Sequence, residues 1–286
     1  MAISAGKAFQ WSIAIYGGPS LTSLAPLHAS HRPILTGREA TDITASMVAD
    51  PFLLRRADRW YLFFEIWNTT TNRGEVAFAT SDDGLVWRYE RVALRESFHL
   101  SYPQVFEWQG AVYMIPETRE DHAVHLYVAD AFPDRWRRVA MLLTGDYADA
   151  TILRHDDLWW LFAQRGLDEL ALFVSGRLDG GWQPHPQSPL YTGDRRRTRP
   201  AGRIINDHGT VVRFAQDGWP TYGHSVRAFE ITTLSRHAFA ERELVGSPIL
   251  RPSRSGWNAV GMHHIDAVPH EGGWLALVDG VTNGSR

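Results

Sequence analysis

A pattern repeated five times along 286 residues is what most limits the folds open to this chain. Each copy has a polar residue, an apolar run, a short polar turn, and a second apolar run that ends in a polar residue. The copies read ADPFLLRRADRWYLFFE (Ala49–Glu65), SYPQVFEWQGAVYMIPE (Ser101–Glu117), DATILRHDDLWWLFAQ (Asp149–Gln164), AGRIINDHGTVVRFAQ (Ala201–Gln216) and HIDAVPHEGGWLALVDG (His264–Gly280). Two runs rich in β-branched and aromatic residues around a turn such as Arg-Ala-Asp, Trp-Gln-Gly or Glu-Gly-Gly are the signature of a β-hairpin. The first four hairpins are followed by a third apolar stretch, at Gly74–Ser81, Val124–Asp130, Leu170–Gly176 and His224–Thr232, and then by a segment that usually carries Trp or Phe. Four strands per unit at intervals of about fifty residues is the period of propeller blades. The expected fold is all-β, a five-bladed β-propeller.

The fifth hairpin lies so close to the C-terminus that its blade lacks outer strands. Gln10–Gly17 (QWSIAIYG) reads as a third strand, and RPIL (Arg32–Leu35) echoes SPLY (Ser188–Tyr191) and SPIL (Ser247–Leu250), which close other blades. N-terminal strands completing the C-terminal blade close the ring and remove exposed sheet edges. No linker or second domain is read, so residues 1–286 are expected to form one propeller. SDDGLVW (Ser81–Trp87) has the Ser-x-Asp-x-Gly-x-x-Trp form of an Asp-box turn, a structural feature.

Charge argues against some partners. With 29 Lys+Arg against 32 Asp+Glu there is no general pull toward nucleic acid or an anionic membrane. The absence of cysteine excludes disulfides and thiolate chemistry and fits a reducing compartment. The apolar stretch Trp11–Tyr16 is too short for a signal or membrane segment, so a soluble cytoplasmic protein without membrane insertion is expected.

In an antiparallel hairpin the first residue of one strand lies beside the last of the other. Asp50 and Glu65, Tyr102 and Glu117, Asp149 and Gln164, Ala201 and Gln216, and His264 and Asp279 are each fifteen apart, so these pairs should ring one mouth of the central channel. Arg199, Arg203, His263 and Asp266 lie close by in the same loops. Strand ends are commonly polar and Asp-Pro often only starts a turn, so no single member is diagnostic. Convergence of carboxylates, arginines and histidines from several blades on one cavity is what points to a small polar ligand. RRRTR (Arg195–Arg199) reads as a solvated basic loop, with a phosphate or acidic-sugar contact as the alternative. In GMHHID (Gly261–Asp266) neighbouring residues on a strand should face opposite ways, leaving His264 toward the channel and no joint zinc site.

At these motifs the sequence resembles the five-bladed propeller superfamily of arabinanases, β-xylosidases, invertases and levansucrases. The resemblance implies that Asp50, opening ADPFLL, is the catalytic base or nucleophile and that Asp149 is its supporting aspartate. HLSYPQVF, YMIPE and DATIL resemble more closely the N-terminal domain of plant glucosamine inositolphosphorylceramide transferases and related bacterial proteins. That likeness implies a link to glycan or glycolipid assembly. The hydrolases place a general-acid Glu in the fourth blade, where this chain has RPAGR (Arg199–Arg203) and no carboxylate. Glu117 is therefore the expected acid, with Glu65 next.

The expected function is carbohydrate-active: glycosidic cleavage or transfer by Asp50, Glu117 and Asp149, with Glu65, Tyr102, Gln164, Arg199, Arg203, Gln216, His264, Asp266 and Asp279 binding substrate. Two alternatives stay open. One is a phosphorylase-like enzyme using Arg199 and Arg203 for phosphate; the other is a non-catalytic glycan-binding scaffold serving a biosynthetic partner enzyme. No organic cofactor motif is present, and the one cofactor left open is a structural Ca²⁺ in the channel.

Overall fold

The computed structural model describes residues 9–27, 32–207 and 209–283. Among them, five antiparallel sheets form the blades of a β-propeller. From the channel outward, blade 1 carries Ala45–Arg56, Arg59–Asn68, Arg73–Ser81 and Arg88–Leu94. Blade 2 carries Ser101–Trp108, Ala111–Glu117, Ala123–Ala131 and Arg135–Thr144. Blade 3 begins Tyr147–His155, Leu158–Arg165, Glu169–Ser175, and its outer edge is shared by Gln183–Pro184 and Tyr191–Thr192. In blade 4 the inner strand is the broken one: Arg199–Pro200 and Ile205–Asp207 both pair with Thr210–Asp217, followed by Ser225–Leu234 and Phe239–Glu243.

Blade 5 joins the two ends of the chain. Ile265–His270 and Gly273–Asn283 are its inner strands, and Phe9–Gly18 pairs with the second of them from Phe9 opposite Asn283 to Gly18 opposite Trp274. Ring closure by the N-terminus is thus as the repeat implied, with one difference of detail. The outer strand is Ala25–Pro26, whereas Leu35 makes an isolated bridge to Ile13. Leu250 makes the same bridge to Val226, and Leu190 N–H donates to Leu170 O. The echo among RPIL, SPLY and SPIL therefore marks one brace used on three blades.

Each blade is covered on both faces, which is why its strands read as nearly continuous apolar runs. Side chains alternate along a strand, so Leu62 and Phe64 pack with Ile13, Leu275 and Leu277 of blade 5. Phe63, between them, points the other way onto Val105, Met114 and Tyr127 of blade 2. Similar clusters fill the remaining seams. The Asp box folds as its residues suggest: Asp83 Oδ1 accepts from Leu85 N and Val86 N at 2.8 Å each, and Trp87 Nε1 donates to Gly84 O at 3.0 Å.

Phe63 has no solvent-exposed surface and lies in the seam between blades 1 and 2. Phe63→Ala is expected to cost about 3–5 kcal/mol of unfolding free energy in urea titration, from lost burial plus the cavity left behind. Val245→Ala, at a side chain 97% exposed, is expected to change it by less than about 0.5 kcal/mol.

Candidate functional site

The mouth of the channel is built from a bulge repeated on three blades. Pairing slips between Ala49 and Phe52, between Ser101 and Gln104, and between Ala148 and Thr151, so each inner strand carries one residue more than its partner. The extra turn is made by Asp50, Tyr102 and Asp149, with φ of 53°, 47° and 51°. Glu65, Glu117 and Gln164 accordingly pair with Ala49, Ser101 and Ala148, one residue earlier than a regular hairpin would have it. Left-handed backbone at a residue with a side chain is strained by roughly 1–3 kcal/mol. It is held by the neighbouring blade: Asp50 N–H donates to Asp279 Oδ2 (3.0 Å), Tyr102 N–H to Asp50 Oδ2 (3.2 Å) and Asp149 N–H to Glu117 Oε2 (3.1 Å). The bulge re-aims these side chains, and each carboxylate braces the bulge beside it.

In blade 4 the corresponding place is Gly202, at φ 133°. A Cβ there would sit 1.7 Å from Ile265 O, so only glycine fits. Its N–H donates to the Tyr102 hydroxyl at 2.6 Å, and that hydroxyl also pairs with Thr151 Oγ1 at 2.6 Å. Tyr102 is wholly buried and wedges blades 2, 3 and 4 together.

Around this frame five carboxyls from four blades face one space. Asp149 accepts from Arg199 Nε (2.5 Å) and Gln216 Nε2 (2.8 Å), and Arg199 also lies 3.6 Å from Glu117. Burial pushes Asp149 up to about 7, with Arg199 opposing the rise and Glu117 adding to it. Burial likewise raises Asp50 to about 7, opposed by His263 and reinforced by Asp149 and Asp279. Glu65 is held well above the usual carboxylate range by burial and by Asp50, Glu117, Asp149 and Asp279. The basic side chain that approaches it within 4.0 Å is His99, whose Nε2 is 3.6 Å from Oε1. Burial favours neutral His99, whose Nδ1 is already occupied in accepting Gly74 N–H at 2.9 Å.

Asp279 behaves differently although it is fully buried. Burial, the largest single influence, would raise its pKa, but His263, His264 and the Asp50 N–H together outweigh it and the net shift is downward. Four N–H groups converge on it: those of Asp50, His263 and His264 and the His263 ring Nδ1. His263 is raised despite burial by Asp279 and Asp50, two carboxyls that favour its protonated form. The alternation expected of GMHHID does not apply, because the strand begins only at Ile265 and both histidines reach the same cluster. His264 Nε2 sits 3.0 Å from Pro51 O, and burial pushes this ring down to about 3. Its Nδ1 has no hydrogen-bond partner and faces Asp50 Oδ1 at 3.5 Å. One atom each from Asp50, His263 and Asp279 lie within 4.8 Å of one another, close enough for a single cation.

The other residues expected at the mouth occupy two further settings. Arg203 and Asp266 pair with each other at 3.0 Å, and Arg203 also donates to Leu53 O and Val105 O. Leu53 and Val105 lie three residues beyond Asp50 and Tyr102, so this pair ties four blades together one layer further along the channel. Gln164 donates to Leu167 O at 2.7 Å within its own loop. Sequence reasoning missed His99, Trp11 and Tyr222. Trp11 stacks on His263 at 3.9 Å, while Tyr222 meets His263 edge-on at 5.4 Å and underlies Arg199 at 5.3 Å. His99 had a signal, since it opens the HLSYPQVF motif. Trp11 reads as one more strand aromatic and Tyr222 as part of a Gly/Pro loop.

Comparison with known proteins agrees with this architecture. Residues 5–281 match the family model described as glucosamine inositolphosphorylceramide transferase 1, N-terminal. Proteins named glucosamine inositolphosphorylceramide transferase 1 from Oryza sativa subsp. japonica and from Arabidopsis thaliana are each 34% identical, over 94% and 96% of this chain. The chain spans about 40% of the length of these curated relatives. Among solved structures, the catalytic domain of a Coprinopsis cinerea GH62 α-L-arabinofuranosidase superposes with a TM-score of 0.63 at 13% identity, covering 95% of this chain and 97% of that one. A structure described under the GH130 mannoside phosphorylases and β-1,2-mannoside hydrolases gives 0.64 at 11%, covering 99% and 96%. At such identity the likeness is one of fold. By sequence, the chain belongs to the family of the N-terminal region of glucosamine inositolphosphorylceramide transferase 1.

Proposed function

We propose that the channel mouth binds a sugar and acts on a glycosidic bond of a glycan or glycoconjugate, by hydrolysis or transfer. The observation that carries this reading is a pair of buried carboxyls in unlike settings. Asp50 is anchored by Tyr102 N–H and sits beside His263, with its carboxyl poised near 7. Glu65 has no hydrogen-bond donor among the described residues, and burial and its acidic neighbours raise its proton affinity. Glycosidic chemistry needs one carboxyl that gives a proton and one that is ionised, with their environments pushing them apart. Glu65 suits the acid and Asp50 the base or nucleophile. Glu117, which sequence reasoning favoured as the acid, accepts Asp149 N–H and lies beside Arg199, so its carboxyl is engaged in bracing the mouth. Asp149 then orients Arg199 and Gln216.

Support from similar proteins is of the same kind: the relatives are named glucosamine inositolphosphorylceramide transferases, and the solved neighbours include enzymes named for glycosidic bonds. Phosphate dependence is less favoured at the mouth, because Arg199 and Arg203 already direct their donors to Asp149 and to Asp266 and two carbonyls.

Two results are expected. In a turnover screen over glycosides and activated sugars, Glu65→Gln and Asp50→Asn each lower kcat roughly 10²- to 10⁴-fold while substrate affinity persists. Binding without turnover by wild type would instead identify a glycan-binding scaffold. The second result concerns pH. Asp50 titrates near 7 in the folded protein against 3.8 in the unfolded chain, so the folded state holds more protons between these values and stability falls as pH rises through them. Asp50→Asn removes that contribution. Its stability relative to wild type should therefore climb steadily from about pH 4 to about pH 8 in urea titrations. A pH-independent difference would contradict a buried, protonatable Asp50.

A further inference from the structure

His99 lies on the segment that carries the chain from blade 1 to blade 2, and its partners come from both. Its backbone N–H donates to Glu120 Oε2 at 2.6 Å. Its ring Nδ1 accepts Gly74 N–H at 2.9 Å, and Gly74 O accepts Leu100 N–H at 3.0 Å, so both backbone groups of Gly74 engage this segment. Trp67, opposite Gly74 in the blade 1 ladder, flanks the ring at 5.7 Å. A neutral imidazole carries one N–H, and the nitrogen that accepts a hydrogen bond is the bare one, so the proton of His99 sits on Nε2. That N–H faces Glu65 Oε1 across 3.6 Å.

Gly74 is what lets the two side chains approach. A Cβ on it would lie 2.5 Å from His99 Cε1 and 2.7 Å from Glu65 Oε1, as well as 2.4 Å from Leu100 O. The backbone here is ordinary strand, so the need for glycine is one of space. A histidine that served only to tie blade 1 to blade 2 would need Nδ1 alone. The direction of Nε2–H, and the room kept for it beside Glu65, are left over from that role.

We infer that His99 is a positioning residue for Glu65: a hydrogen-bond donor, locked in one tautomer by Gly74, that closes on the carboxylate once Glu65 has given up its proton. The inference rests on the reading of Glu65 as the acid. In that step the Glu65 proton passes to the leaving oxygen as its bond to the sugar carbon breaks, and the sugar carbon is taken by the nucleophile that Asp50 supplies or activates. A negative charge then stays on Glu65 among Asp50, Glu117, Asp149 and Asp279. At 3.6 Å the His99 N–H is short of a hydrogen bond. Attraction to the new charge closes the gap, and a bond to a charged acceptor is stronger than one to a neutral carboxyl. His99 keeps its own proton throughout, because taking up a second would occupy Nδ1 and expel Gly74 N–H. The other charged groups acting on the ring, Glu120, Asp149, Arg199 and Arg73, are of mixed sign, and burial keeps it neutral.

Two substitutions in the whole chain separate the donor from the tie. His99→Asn keeps an acceptor where Nδ1 meets Gly74 N–H and removes the donor, whereas His99→Gln places an amide N–H near the position of Nε2. In an infrared pH titration, Glu65 is the protonated-carboxyl component missing from Glu65→Gln. His99→Asn is expected to raise the pH at which this component disappears by about one unit, a tenfold change in proton affinity. His99→Gln should leave it close to wild type, and His237→Asn, at an exposed histidine of blade 4, should not move it. Long-range ¹H–¹⁵N spectra of histidine-labelled wild type should show His99 neutral at about pH 7 with its proton on Nε2. A proton on Nδ1, or a Glu65 component unmoved in His99→Asn, would overturn the inference, as would equal shifts in the Asn and Gln variants, the mark of a tie and nothing more. Absence of any Glu65 component would overturn the acid role as well. Neither measurement uses turnover, so a catalytically silent mouth would leave the His99 contact standing, and loss of the contact would leave the acid role to be decided by turnover of Glu65→Gln.

Discussion

The hydrogen bonds from the left-handed residues Asp50 and Tyr102 to carboxylates one blade away, Asp279 and Asp50, do two jobs at once. They stabilise backbone that would otherwise be strained, and they fix carboxyls at the channel mouth. Asp149 repeats the device against Glu117. Blade 4 substitutes Gly202, whose N–H is taken by the Tyr102 hydroxyl reaching across the ring. Position in the ring and the chemistry of the mouth are therefore properties of the same bonds, and neither can be altered alone.

Five carboxyls in so small a space cannot all ionise, because burial and mutual repulsion favour protons on some of them. Arg199 and His263 determine which. Asp279, bonded by His263 and three backbone N–H groups, keeps its charge. Asp149 is partly compensated by Arg199. Glu65 lacks such a partner, and neutral His264 presents a bare nitrogen toward Asp50. A proton on Glu65 relieves the first, and a proton on Asp50 relieves the second.

Much of this was legible in the sequence because it is periodic. The fifteen-residue spacing of the polar ends and the orphaned fifth hairpin were enough for the blade count, the closure and the membership of Asp50, Glu65, Glu117 and Asp149 in one ring. What was not legible depends on departures from periodicity. The bulges shift each pairing by one residue, and nothing in ADPF, SYPQ or DATI announces a left-handed residue apart from the tolerance of Asp for it. His263 and His264 converge because the strand starts after them. Arg203 could not be assigned a depth from a motif, since its partners Leu53 O and Val105 O are backbone atoms of other blades. The acid proposed differs from the one that spacing favoured because Glu117 is already engaged by Asp149 N–H and lies beside Arg199, contacts that a motif does not reveal.

The most direct test of this account is infrared difference spectroscopy of the protonated-carboxyl stretch across a pH titration of wild type, Asp50→Asn and Glu65→Gln. The account requires a buried protonated carboxyl near pH 6 in wild type, with separate components missing from each variant. A spectrum near pH 6 without any protonated carboxyl band, or one unchanged in both variants, would contradict it.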